Sequence, residues 1–264
     1  MTTAQIRVDA KPAGFFRDLI TVAGRAVRAI PKEPESVIPA LVIPLFFFVV
    51  NVGSLSNVSQ FVGVDNFKAF QLPVAIVFAV TGISRASALV TDIQSGYFDR
   101  LLISPVKRTA LLLGLMVADL ALVIVLSIPV VLLGAALGVH FVTGFAGIVT
   151  FLLISGLWGL AFTGFPYAIA LKTGSPGAVN SSFLLFFPFT FLTTSFLPLE
   201  ALSGWLKTVA MYNPVTYLLD GLRSLIYVGW EWDTLVKTLL AIGIILTLSF
   251  TLAFLALKGR VSRK

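Results

Sequence analysis

No cysteine occurs in the 264 residues, which excludes disulfides, thiolate metal sites and cysteine nucleophiles. The single histidine, His140, lies in a GVHFVTG stretch with no second ligand at useful spacing, so it reads as a loop residue and not as part of a metal site. Charge is also scarce. Only 12% of residues are Asp, Glu, Lys or Arg, about half the share usual in soluble domains. A nucleophile elbow, a metalloprotease helix, a Rossmann fingerprint and a Walker motif are all missing. The KTGSP run from Lys172 to Pro176 has residue types of a phosphate-binding loop without its spacing. These absences make an enzyme improbable and leave transport or scaffolding.

What the chain has in excess is apolar length. At 58% hydrophobic it cannot hide its surface in one compact core, and several runs reach the roughly 18 to 20 apolar residues that cross a bilayer. The reading is an all-α polytopic membrane protein, a single transmembrane domain over residues 1–264. Six transmembrane helices are expected near 38–55, 70–90, 110–137, 145–171, 178–197 and 234–257. Of nineteen lysines and arginines, all but Lys68, Lys207, Arg223 and Lys237 fall on one side of that topology, which the positive-inside rule makes the cytoplasm. Both termini are therefore expected inside.

Three segments between or beside the spans stand out. Residues 14–30, GFFRDLITVAGRAVRAI, set Arg17, Thr21, Arg25 and Arg28 on one stripe, which suits an amphipathic helix lying in the headgroup layer or packed on a partner. Residues 91–108, TDIQSGYFDRLLISPVKR, form a short charged piece of about two helical turns, bounded by Gly96 and Pro105. That piece reads either as a solvated turn or as a docking surface. Residues 198–228 are half apolar, split at Asn213-Pro214 and rich in Trp and Tyr, which favours a re-entrant outer hairpin.

Within the spans, Asp119 is expensive in hydrocarbon unless it faces a partner, and Arg85 at a comparable depth is the expected one. The alternative is a proton or substrate site, although proton relays generally need several such groups. Span five carries Phe183 and Phe187 among hydroxyls that include Thr190 and Thr194. These residues suit an amphiphile pathway, and lipid contact or helix packing accounts for them equally.

The amphipathic N-terminal helix, the six spans, the 91–108 segment and the sequence LPLE…YNPVTYLLDGLR before the last span together resemble the membrane subunits of type-2 ABC exporters, most closely the daunorubicin-resistance-type permeases. Gly96, Leu101, Pro105 and Arg108 stand at family positions, as do Pro198, Asn213, Pro214 and Arg223. Asp92 and Asp99 replace the commoner glutamates. Thr194-Ser195-Phe196 departs from the usual Ser-Gly-aromatic at the end of span five.

The resemblance implies a homodimer or heterodimer of permeases in a prokaryotic cytoplasmic membrane, joined to two ATP-binding subunits. ATP and magnesium would bind on those subunits, with no cofactor on this chain. Asp92, Gly96, Tyr97, Phe98, Asp99, Arg100 and Pro105 would form the coupling contact, helped by Arg17 and Arg25 of the 14–30 helix. The implied function is outward movement of an amphiphilic or hydrophobic solute such as a drug, antibiotic or lipid. The alternative is export of a polysaccharide or lipid-linked glycan. From another class, a proton-coupled secondary carrier would rely on Asp119.

Overall fold

A computed structural model of the chain describes residues 14–262, apart from 33, 60–63, 65, 82–83 and 104–105, and the described residues form helices and short connections without a strand. In chain order the helices are α1 (Phe15–Ala29), α2 (Pro34–Ser59), α3 (Phe67–Thr81), α4 (Ala86–Gln94), α5 (Tyr97–Ile103), α6 (Arg108–Ala136), α7 (Gly144–Thr173), α8 (Pro176–Phe191), α9 (Gly204–Tyr212), α10 (Pro214–Arg223) and α11 (Trp232–Ser262). Among the described residues four of them, α2, α6, α7 and α11, are long and apolar enough to cross a membrane.

Burial separates the central helices from the peripheral ones. In the apolar window of α6 61% of residues are buried, against 22% in α2 and in α11, so α6 is a core helix and α2 keeps a face for lipid or protein. Helices meet closely where α7 carries small residues, the usual device when surrounding lipid removes the hydrophobic drive for helix association. At Gly164 an added Cβ would lie 2.6 Å from the Ser249 backbone of α11, so only glycine permits that approach. Ser249 Oγ in turn donates to the Ala161 carbonyl of α7 across the same contact.

The buried side chains form two main clusters along the bundle. One holds Leu72, Val77, Val130, Phe151, Trp158 and Leu219, from α3, α6, α7 and α10. The other holds Val22, Leu89, Phe98, Leu111, Tyr167 and Leu257, so it ties α1, α4 and α5 to the opposite ends of α6, α7 and α11. The short helix α5, marginal alone, is stable because this second cluster receives Phe98.

Two expected spans differ in detail. The stretch read as one helix over 70–90 is two helices, α3 and α4, with Arg85 in a turn before α4. The Arg85 backbone N–H donates 3.2 Å to Asp119 Oδ1 of α6, so a carboxylate from a neighbouring helix satisfies a donor at the start of α4. The fifth stretch ends as helix at Phe191 rather than near 197. Thr193 and Ser195 hydroxyls both donate to the Thr190 carbonyl, and these side-chain bonds hold the chain in bends beyond Pro188.

The 198–228 segment divides at Asn213 as its sequence implies. Asn213 Oδ1 accepts from the Val215 N–H and Pro214 occupies the first turn of α10, a strong helix start. Helix α9 is mostly exposed, with Trp205 and Tyr212 outward, whereas α10 buries Val215, Leu218, Leu219 and Leu222 in the bundle.

Candidate functional site

One end of the bundle is organised by α1. Its sequence makes three faces. Asp18, Val22 and Ala26 are buried, Arg17, Thr21, Arg25 and Arg28 are exposed, and Phe16, Ile20 and Val27 form a second apolar stripe that is exposed among the described residues. The buried face sits close on α6, where Gly114 leaves no room for a Cβ beside Val22. Asp18 Oδ2 accepts from the Lys107 N–H at 3.1 Å, just before α6 begins. Arg85 Nη1 donates 2.5 Å to the Ala26 carbonyl near the end of α1.

Arg25 crosses from α1 to the 91–108 segment. Its Nη2 lies 3.4 Å from Asp92 Oδ2 on α4, and its guanidinium carbon lies 4.9 Å from the Tyr97 ring centre on α5. Between those two helices the chain turns at Gly96 with φ of 73°, a left-handed conformation that a side chain would strain. The coupling residues read from the sequence therefore differ in exposure. Phe98 is buried in the bundle, Asp92 and Asp99 are half-buried, and Tyr97 and Arg100 are exposed, as is Arg17 on α1. Pro105 lies outside the described residues.

Two residues in this region escaped the sequence reading. Ile103 at the tip of α5 is 87% exposed, an apolar side chain on the same side of the helix as Tyr97 and Arg100. Its position at the end of an amphipathic seven-residue helix was the available signal. Asp18, an acid inside a basic helix, gave a compositional hint but no indication that its bond runs to residue 107.

Beside this end of the bundle opens a cavity of about 1120 Å³ bordered by α1, α2, α3, α4, α6 and α8. Its polar lining comes mainly from Arg25, Ser84, Arg85, Ser87, Asp92 and Asn180, whereas Phe47, Phe78 and Phe187 line an apolar part. Ser87 Oγ and Asn180 Oδ1 approach to 3.4 Å across α4 and α8. The rings of Phe78 and Phe187 stand 6.0 Å apart, and Phe187 and Phe191 4.7 Å apart, which makes an aromatic wall. Thr190 lines the cavity, and the side chain of Phe183 lies outside the described residues.

Thr194 lies instead beyond the end of α8, in the grip of Arg223. That guanidinium is buried and donates to the Thr194 carbonyl at 2.8 Å, to Thr194 Oγ1 at 3.0 Å and to the Phe70 carbonyl at 3.2 Å. It also lies over the Phe70 ring at 3.5 Å. Asn213 Nδ2 donates to the Phe189 and Leu192 carbonyls. Together the two side chains satisfy backbone groups left open where α8 ends. Pro198 precedes a single 3₁₀ turn over Leu199–Ala201 in the same region.

Arg85 and Asp119 are both buried and adjoin through the bond at the start of α4. Asp119 does not line the cavity. Among the described residues no three His, Cys, Asp or Glu side chains gather as a metal site.

The described residues form an all-helical bundle with four helices long and apolar enough to cross a membrane and with α1 braced against one end, the form of a membrane-embedded subunit. Residues 17–227 match the ABC-2 type transporter family, so the chain belongs to that family and is an ABC transporter permease, a multi-pass membrane subunit. It is 26% identical over 222 residues to the daunorubicin resistance ABC transporter permease protein DrrB1 of Streptomyces coeruleorubidus, covering 81% of this chain and 77% of that one. It is 25% identical over 212 residues to the probable doxorubicin resistance ABC transporter permease protein DrrC of Mycobacterium tuberculosis, covering 80% and 77%. A putative transport permease, ycf38, of Cyanophora paradoxa is 25% identical over 218 residues, covering 80% and 74%. Membership of the family implies an ABC ATP-binding partner.

Proposed function

We propose that this permease moves an amphiphilic or hydrophobic solute out across the cytoplasmic membrane of a prokaryote, driven by ATP hydrolysis on a separate subunit. The observation that carries the reading is the cavity: polar and charged side chains line one part, aromatic rings another, and Asp92 belongs both to its wall and to the brace between α1 and α4. A solute with a polar group and an apolar body matches that lining. The relatives named for daunorubicin and doxorubicin resistance support the same solute class.

In this reading the exposed side of α5, with Tyr97, Arg100 and Ile103, docks on the ATP-binding subunit, and α1 braces it. Two such subunits bind ATP and magnesium, and this chain holds neither. A second permease protomer closes the cavity along α2 and α8, whose outward faces carry Phe46, Val50, Leu184 and Phe189. Six crossings follow if α3 with α4, and α8 with the bends after it, complete two further spans. Both termini are then cytoplasmic, α1 lies in the inner headgroup layer with Phe16 and Ile20 toward lipid, and α9 and α10 form the outer re-entrant hairpin.

The test is reconstitution of the permease with its ATP-binding subunit in liposomes. ATP-dependent movement of an anthracycline, lost when the subunit's hydrolysis is blocked, is the expected result. Movement without nucleotide hydrolysis, or movement of a lipid-linked glycan and no anthracycline, would overturn it.

A further inference from the structure

A second concavity, about 700 Å³, runs between the C-terminal halves of α7 and α11, away from the solute cavity. Phe165, Ile169, Leu252 and Leu255 wall it, and Lys172 and Arg260 stand at one end. Both helices finish there, and Gln94 Nε2 of α4 bonds the Gly174 carbonyl just beyond α7, so the charged end belongs to the same side of the bundle as α5. From Phe165 to Lys172 the helix rises about 10 Å, roughly the upper two-thirds of one leaflet's hydrocarbon.

No acid lines the concavity among the described residues. Arg260 Nη1 donates 3.1 Å to the Leu171 carbonyl, which fixes the guanidinium at the rim, while its Nε has no hydrogen-bond partner among the described residues. Lys172 is exposed and forms no ion pair among the described residues. An apolar trough that ends in two cations with no carboxylate partner among the described residues is complementary to one kind of molecule, an amphiphile with an anionic head. In a membrane-crossing bundle the molecule at hand with that chemistry is a phospholipid of the inner leaflet. We infer that the α7–α11 groove is a binding site for an anionic phospholipid, its phosphate held by Lys172 and Arg260 and its chain laid along Leu252 and Leu255.

Native mass spectrometry of the full-length permease, extracted from vesicles of equal phosphatidylglycerol and phosphatidylcholine, tests this. Phosphatidylglycerol adducts should exceed phosphatidylcholine adducts. Lys172→Gln, at an exposed position, should lower that preference about fivefold, the effect of one basic side chain at an anionic surface. Ala256→Phe, which fills the trough, should reduce retention of either lipid. Lys258→Gln removes the same charge from an exposed position outside the groove and should leave the preference intact. Equal retention of the two lipids by the unaltered protein would overturn the proposal. So would an equal loss in Lys172→Gln and Lys258→Gln, since that would mean general attraction of charge to the inner surface. Unchanged retention in Ala256→Phe would show that the lipid lies elsewhere.

Discussion

Arg25 on α1 and Asp92 on α4 stand 3.4 Å apart although 67 residues separate them, and the arginine is half-exposed while the aspartate lines the proposed solute cavity. The pair links the helix that braces this end of the bundle to the wall of the proposed path. Its contribution to stability is small, because partly exposed ion pairs are worth about 0 to 1 kcal/mol. Its geometry bears instead on the proposed coupling.

Arg25→Ala is therefore expected to leave the thermal midpoint of the purified permease within about 2 °C of the parent, in keeping with a loss below 1 kcal/mol. ATP-dependent transport should fall about tenfold, within the range by which coupling contacts act. Transport at the parental rate would detach this contact from the mechanism.

Ile103→Asp tests the docking side of α5. At 87% exposure the side chain contributes little to the fold, whereas a charge in an interface centre weakens binding by about thirtyfold, a hot-spot effect. Titration of the ATP-binding subunit against the reconstituted variant measures this. Undiminished affinity with an intact fold would move the docking surface elsewhere.

Arg223→Gln removes up to three hydrogen bonds from a buried position and leaves the Thr194 and Phe70 carbonyls without their donor. A loss of about 3 kcal/mol is expected, seen as a lowered unfolding midpoint in detergent. Thr194→Val should cost less, since the stronger bond goes to the backbone carbonyl, which survives. A larger effect at Thr194 than at Arg223 would contradict this account.

Asp119→Asn separates capping from proton coupling. Asparagine retains an oxygen for the Arg85 N–H, so the turn before α4 should persist, and the pH profile of transport should not move. Asp119→Ala removes the acceptor and should destabilise by about 2 kcal/mol. A shifted pH profile in Asp119→Asn would favour the secondary-carrier mechanism.

Much of the helical layout was legible in residue order. The limits of α6 and α7 follow from long apolar runs bounded by Lys107 and Arg108 and by Gly144 and Gly174, and α11 begins at Trp232 but runs on past Lys258 to Ser262. Asn213-Pro214 marked the start of α10 because a cap followed by proline has local physics. The break before α4 was not legible, since its stabilising acceptor, Asp119, comes from another helix. Nor was the burial of Phe98: aromatic and charged neighbours suggested an anchor for a partner, and packing turned that ring inward while leaving Ile103 out. Thr194 was read with the pathway, whereas Arg223 holds it outside the cavity.

Residue order by itself determined that this chain lives in a membrane, that it is helical, and that it carries a short charged segment between apolar ones. Those properties depend on composition and on spacing along a single helix. Tertiary packing decided which polar groups satisfy one another, as in Asp18 with the amide 89 positions later, or Arg223 with the Thr194 hydroxyl 29 positions earlier. A buried hydrogen-bonding group must find a partner wherever the bundle brings one within about 3 Å, and no local pattern encodes which one that is.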